Sequence, residues 1–374
     1  MDRIKVMIVF GTRPEGIKMA PIVRKMKETK EIESIVCVTA QHREMLDQVL
    51  NIFSIEPDYD LNIFKPGQTL TEITTKALKG LEEVIVKERP DLLLVQGDTT
   101  TVFAGALAAF YQRVKIGHVE AGLRSGNILS PYPEEANRKL TGIVTDFHFA
   151  PTERNKQNLL KENYEEEKIF ITGNTVIDAL KLVIKDNYIF DIDKLNNIDF
   201  ENKKVILLTS HRRENLGEPM ENIFTAVKNA VEKYDDVEVV FPVHLNPKVR
   251  KIANDVFNNH ERVHLIEPLD YEPFTNLMAK SYLIVTDSGG LQEEAPSLGK
   301  PVLVVRKETE RPEGIEAGTA KLVGTDMEDI YEELDLIISN KDEYLKMANA
   351  VNPYGDGTAA DKIVNVILEE FSKE

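Results

Sequence analysis

The sequence predicts an α/β protein of two doubly wound parallel-sheet domains, and three observations carry that reading. Its apolar runs are short, β-branched and continuous rather than alternating, the pattern of strands buried on both faces. Amphipathic stretches of helical period separate the runs, as βαβ units require. At 374 residues the chain has room for two domains of about 150 residues each.

Taken in order, the strand candidates of the first half are Ile4–Phe10, Ile35–Thr39, Leu92–Val95, Val114–Val119 and Phe147–Ala150. The second half repeats the style with Val205–Thr209, Val237–Val243, Val263–Ile266, Leu283–Thr286 and Val302–Val305. Between them, Leu180 to Lys204 scatters Asp186, Asn187, Asp191, Asp193, Asn196 and Asn197 without a sustained period, which marks an inter-domain stretch. The boundary is drawn there, giving domains 1–178 and 179–356. Asn352-Pro353-Tyr354-Gly355-Asp356-Gly357 breaks one helix, and a last helix carries Ile363, Ile367 and Phe371 on one face.

Composition narrows the function classes. With 42% hydrophobic and 29% charged residues the chain has material for real cores, so wholesale disorder is excluded. One cysteine excludes a disulfide framework and any Cys-rich zinc module, and Cys37, in mid-strand, reads as a small buried hydrophobe. A net charge of −17 offers no basic stripe for nucleic acid. No segment reaches the roughly 18 apolar residues of a membrane span. The stretch Met1 to Phe10 reads as a first strand rather than a leader, so a cytoplasmic protein is expected.

Ligands of open parallel sheets sit beyond the carboxyl ends of the strands, so the residues after each run are the ones to read. After the first comes Gly11-Thr12-Arg13-Pro14-Glu15-Gly16-Ile17-Lys18, a Gly-rich turn into a helix with two cations. It reads as an anion site or, equally, as a plain strand–helix turn; Ile17 after the second glycine excludes a P-loop. Gln96-Gly97-Asp98-Thr99-Thr100-Thr101 sets an acid at a strand end, where an N-cap is the simpler account. In Gly117-His118-Val119-Glu120-Ala121-Gly122 a glutamate closes an apolar strand, a costly place unless it is paired or used. Glu134 and Glu135 open a helix in Tyr132-Pro133-Glu134-Glu135, where the dipole favours acids. Acids at successive strand ends of one sheet should converge on one cleft.

The second half answers with Ser210-His211-Arg212-Arg213 after its first strand, an imidazole for proton transfer near neutral pH and guanidiniums suited to phosphate. Thr286-Asp287-Ser288-Gly289-Gly290 opens a helix with Glu293 and Glu294; it reads as a diphosphate turn with a ribose-binding acid, or as an ordinary Gly turn. His260-Glu261-Arg262-Val263-His264 matches the zincin pattern H-E-x-x-H. The Asn258-Asn259 helix enders and the strand residues Val263-His264-Leu265-Ile266 argue against the single helix face that a zinc site needs. His118 and His148 lie in strands and read as core residues, and His244 ends one.

Together these strings resemble the non-hydrolysing UDP-N-acetylglucosamine 2-epimerases: GTRPEGIKMAP, QGDTTT, GHVEAGLRS, YPEEANR, ITGNTVIDAL, HRREN, DSGGLQEEAPSLGKPVLVVR and ERPEG occur in that order over nearly the whole chain. The resemblance implies two Rossmann-like domains of the glycosyltransferase-B type facing across a cleft that holds the active site. It also implies that a last helix, 357–374, crosses back to the first domain. The implied activity inverts C2 of UDP-GlcNAc to give UDP-ManNAc, through loss of UDP to 2-acetamidoglucal and its re-addition. Neither a redox cofactor nor a metal is implied, and homodimers are typical. A hydrolysing relative, a glycosyltransferase of the same fold and a nucleotide-sugar sensor are the competing readings.

Carried over residue by residue, the resemblance makes Asp98, Glu120, Glu134 and His211 the catalytic group. Glu120 and Glu134 would move protons at C2, Asp98 would support them, and His211 would serve the leaving phosphate. UDP would be held by Arg13, Lys18, Phe274, Ser288, Gly289, Gly290, Glu294 and Arg311, with Phe274 against uracil. Gln41, His42, Gln68, Arg212 and His244 match positions of a second, activating UDP-GlcNAc. The loop Phe64-Lys65-Pro66-Gly67-Gln68 departs from the family, with Gly67 where a basic residue is usual.

Overall fold

β1 (Ile4–Phe10) stands third in a seven-stranded parallel sheet, ordered β3-β2-β1-β4-β5-β6-β7. Its other strands are β2 (Ile32–Val38), β3 (Tyr59–Asp60), β4 (Leu92–Gln96), β5 (Lys115–Val119), β6 (Phe147–Ala150) and β7 (Ile169–Ile171). The continuous apolar runs are explained by packing on both faces. Val6, Ile8 and Phe10 point into one core with Leu92 and Leu94, while Met7 and Val9 point into another with Leu93 and Val95. The helices that cover the sheet are α1 (Arg13–Glu28), α2 (Arg43–Ile52), α3 (Leu70–Glu88), α4 (Thr100–Tyr111), α5 (Glu134–Val144), α6 (Glu153–Lys161) and α7 (Thr175–Val183).

A second sheet is ordered β10-β9-β8-β11-β12-β13 and is also parallel throughout. It comprises β8 (Lys204–Thr209), β9 (Val237–Pro242), β10 (Val263–Ile266), β11 (Leu283–Thr286), β12 (Val302–Val304) and β13 (Ala320–Leu322). Its helices are α8 (Asp193–Asn196), α9 (Glu218–Lys233), α10 (Pro247–Phe257), α11 (Tyr271–Lys280), α12 (Leu291–Glu294), α13 (Pro312–Glu316), α14 (Met327–Ser339) and α15 (Lys341–Ala348). In each sheet the strand order reverses at one point, between β1 and β4 and between β8 and β11. Those switch points are where an open α/β sheet leaves a crevice for a ligand.

In this computed structural model, which describes residues 3–41 and 43–373, the chain divides into two compact units. They are Met1–Leu182 with Tyr354–Glu374, and Val183–Pro353. The boundary expected at 178/179 falls inside α7, and the division comes instead at the end of that helix. Asp178 explains why α7 stays with the first unit. Its carboxylate accepts the N–H of Ala359 (3.2 Å) and of Ala360 (2.9 Å), serving as a remote cap for α16 (Ala359–Ser372). Ile363, Val364 and Ile367 of α16 join the core of the first sheet with Val23 of α1, and Lys25 pairs with Asp361.

Three strands escaped the sequence reading, β3, β7 and β13. Each has only two or three residues at a sheet edge, too short a stretch to stand out as a strand, even where all three are apolar as in β7. At the H-E-x-x-H string, α10 ends at Phe257, Asn258 turns left-handed, and His264 lies in β10 with its Nε2 2.7 Å from Glu238. Among the described residues no helix is long and apolar enough to cross a membrane.

Candidate active site

The turn after β1 is built around a buried carboxylate that sequence reasoning passed over. Glu15 accepts the N–H groups of Gly11 (3.0 Å) and Thr12 (2.7 Å) and the hydroxyl of Thr99 (2.6 Å). Burial pushes its pKa up, and the hydroxyl and amide bonds oppose that. The bonds tie the ends of β1 and β4 together across the switch point. Two amides that the sequence offered to an anion are thereby committed to Glu15, leaving Arg13 and Lys18 as the turn's cations. Gly11 is obligatory, because a Cβ there would lie 2.0 Å from Thr39 Oγ1 and 2.7 Å from Thr101 Oγ1.

Glu120 follows β5 with a positive φ of 64°, an unusual backbone for a non-glycine residue. Its carboxylate gathers donors from three other elements. Lys18 Nζ reaches from α1 to within 2.6 Å of Oε1 and 2.7 Å of Oε2, Gln96 Nε2 from β4 donates to Oε2, and Asn174 Nδ2 donates to Oε1 at 3.1 Å. The Glu120 side chain is only 11% exposed. A buried acid at a strand end is thus paired, as its cost demands.

Asp98 lies just beyond Gly97 and pairs with Arg138 of α5 (2.5 Å), whose other nitrogen holds Glu135 (2.9 Å). Glu135 is fully buried and also accepts the N–H groups of Ser125 (3.1 Å) and Gly126 (3.3 Å). The two acids that open α5 therefore part company. Glu135 is locked into the loop, whereas Glu134 Oε2 is buried with no hydrogen-bond partner among the described residues. An orphaned buried oxygen of that kind asks for a ligand. His118 donates from Nε2 to the Gly97 carbonyl (2.7 Å), and burial drives its pKa down to about 4, so it is neutral and structural. His148, against the Tyr164 ring, is driven by burial to about 3.

In the second unit the organising group is Asp287, after β11. Its Oδ2 accepts from Ser210 Oγ (3.0 Å), the N–H groups of His211 and Arg212 (2.9 Å each) and Asn215 Nδ2 (3.2 Å). Those bonds lock the end of β8 to the end of β11. Oδ1, also buried, lies 3.3 Å from His211 Nδ1. Burial lowers the His211 pKa, Asp287 opposes that, and His244 and Arg212 add to the lowering. The His211 ring stacks on that of His244 with centroids 5.6 Å apart. Both rings line a cavity of about 230 Å³ with Phe274, Ser288, Pro242 and Leu269. Beside it, the guanidiniums of Arg311 and Arg212 both stand about 4 Å from where a Gly289 Cβ would be. Arg311 is held by Glu293 at 2.5 Å, and Glu294 approaches Gly290.

A family model described as UDP-N-acetylglucosamine 2-epimerase matches residues 24–368. The chain belongs to that family. The UDP-N-acetylglucosamine 2-epimerase of Bacillus subtilis is 59% identical over 371 residues, covering 99% of this chain and 97% of its own. The crystal structure of the Neisseria meningitidis UDP-GlcNAc 2-epimerase bound to UDP-GlcNAc has a TM-score of 0.84 at 53% identity, over 98% of this chain and all of that one. The Methanocaldococcus jannaschii UDP-GlcNAc 2-epimerase, in complex with UDP-GlcNAc and UDP, has a TM-score of 0.74 at 36% identity, over 98% and 99%.

As a member of the UDP-GlcNAc 2-epimerase family, the chain distributes its expected site residues between its two units. Arg13, Lys18, Asp98, Glu120 and Glu134 lie at the first sheet's switch point or on the loops and helix beside it. His211, Phe274, Ser288, Gly289, Gly290, Glu294 and Arg311 gather at the second. Of the activator positions, Gln41 accepts from Thr101 Oγ1 (3.1 Å) and Gln68 from Lys76 (3.4 Å). Arg212 and His244 instead adjoin Gly289 and the Phe274 cavity, and His42 lies outside the described residues. Sequence reasoning missed Glu15, Gln96, Arg138, Asn174 and Asp287, all of them inside the family strings. Their only signal was a polar side chain at or just after a strand end (Gln96, Asn174, Asp287) or on a helix (Glu15 on α1, Arg138 on α5), which does not say what it faces.

Proposed function

We propose that the protein interconverts UDP-GlcNAc and UDP-ManNAc without hydrolysis, through 2-acetamidoglucal. A carboxylate takes the C2 proton, the electron pair of that C–H bond becomes the C1=C2 double bond, and the C1–O bond to UDP breaks. Re-addition forms the C1–O bond again and returns a proton to the other face of C2. The observation that carries this reading is the Glu120 carboxylate, buried yet held by Lys18, Gln96 and Asn174 and so kept in a defined orientation as a base. Glu134, with its orphaned oxygen, is the natural second proton carrier, and Asp98 with Arg138 supports the pair.

His211 would serve the departing diphosphate, oriented by Asp287, while Arg212 and Arg311 take phosphate oxygens and Phe274 stacks on uracil. Acid–base groups supply about 10²–10⁴-fold of the acceleration, so retention of both fragments and charge stabilisation must supply the rest. The reading includes a cytoplasmic homodimer. Val86 on α3, Phe110 and Tyr111 at the end of α4, and Leu140 and Ile143 on α5 support it as exposed apolar side chains on neighbouring helices. The reading also includes a second, activating UDP-GlcNAc at the positions Gln41, His42, Gln68, Arg212 and His244; a sigmoidal rate curve supports that site and a hyperbola removes it. Product analysis by NMR tests the whole reading: UDP-ManNAc is expected, whereas free ManNAc with UDP would assign the hydrolysing activity instead.

A further inference from the structure

We propose that Asn174 is the positioning residue of Glu120, fixing the plane of its carboxylate and holding down its proton affinity; the claim rests on the base role given to Glu120 above. Asn174 sits between β7 and α7 and is 3% exposed. Its Oδ1 accepts the Val176 N–H at 3.2 Å, which caps the start of α7. That bond settles the amide orientation. A flipped carboxamide would set its NH₂ against the Val176 N–H and its oxygen against the Glu120 carboxylate. Nδ2 is therefore the atom aimed at Glu120 Oε1, 3.1 Å away.

The backbone is anchored as firmly as the side chain. Asn174 donates its N–H to the Tyr354 carbonyl at 2.7 Å, and a Cβ on neighbouring Gly173 would lie 3.2 Å from Gly355 Cα. The segment that returns the chain to the first unit thus braces the residue that touches the base. The charged and titratable groups around Glu120 are Lys18 of α1, which pairs with it, and the neutral His118 ring of β5, on which Glu120, Asp98 and Arg124 all act. Against that fixed background Asn174 adds one donor to an anion, which favours the charged form.

Asn174→Ser and Asn174→Asp keep a side chain that can cap α7, but neither donates to Glu120 as the carboxamide does, and the aspartate adds like charge. The primary readout is the titration of the Glu120 carboxyl carbon by ¹³C NMR in the full-length, ligand-free protein, with Glu120→Gln identifying the resonance. The midpoint should rise by about one pH unit in the serine variant and further in the aspartate variant. With UDP-GlcNAc, kcat should fall about ten-fold with KM little changed, and the acid limb of its pH profile should move up with the midpoint. An unmoved midpoint in both variants overturns the proposal, whatever happens to kcat. Absence of C2 exchange in the wild type would instead strike the proposed reaction, and the titration would still decide the role of Asn174. Should the serine variant fail to fold, the aspartate variant carries the same test.

Discussion

At Asp287 one carboxylate oxygen accepts four donors from Ser210, His211, Arg212 and Asn215, while the other faces the His211 ring. Removing that group takes the shared acceptor from four donors, of which Asn215 alone keeps a second partner among the described residues, the Val305 carbonyl, so Asp287→Ala should cost about 3 kcal/mol or more of stability in chemical denaturation. Asp287→Asn should fold better but lose turnover, because it replaces the anion beside His211 with a neutral amide. Glu120→Gln should lower kcat by about 10²–10⁴-fold while UDP affinity, read by calorimetry, survives. Wild-type rates in that variant would contradict the base assignment. At this scale the sequence was legible where burial carries a cost: Glu120, in an apolar strand end, had to be paired or used, and it is paired with Lys18. It was not legible at Glu134 and Glu135, adjacent and alike in letter, because only tertiary contacts make one a loop anchor and the other an orphan.

Elements show a different balance. The buried strands declared themselves by continuous apolarity, and their ends located both switch points, so the part of the fold that positions the site was readable. The short edge strands β3, β7 and β13 were not, since their identity comes from a neighbour to pair with. The link between α7 and α16 was equally hidden, because Asp178 caps a helix start 181 positions away in the chain. Asp178→Ala leaves the Ala359 and Ala360 amides without that partner and should cost about 1–2 kcal/mol, measured as a lowered denaturation midpoint. An unchanged midpoint would mean that α16 is held by its apolar face alone. The turn before α1 makes the same point about glycine. The sequence left the Gly11 turn between an anion site and a plain strand–helix turn, and did not show that its lack of a side chain is what admits Thr39 and Thr101.

On the scale of the whole molecule, acid should weaken the first unit. Burial lowers the His118 pKa from 6.5 to about 4 and the His148 pKa from 6.5 to about 3. Unfolded, both rings take protons near pH 6.5; folded, they resist until much lower. Their contribution is therefore fully present above pH 6.5 and is lost as the pH falls towards 4 and 3. Each ring costs at most about 1.4 kcal/mol per pH unit in that window. Replacing His148 by Leu should flatten the fall of Tm between pH 6 and pH 4; an unaltered slope would show that other groups drive it. If the exposed helices α3, α4 and α5 form the proposed dimer, light scattering should give twice the 42.3 kDa chain mass, and Ile143→Glu should halve it. The net charge of −17 excludes a nucleic-acid stripe but says nothing about phosphate, which depends on a few placed cations such as Arg212 and Arg311. The most direct test of the proposed chemistry is NMR of UDP-GlcNAc incubated with the protein in D₂O. Deuterium should appear at C2 of both UDP-GlcNAc and newly formed UDP-ManNAc, without accumulation of free ManNAc. UDP-ManNAc that keeps its original C2 hydrogen would contradict the elimination and re-addition.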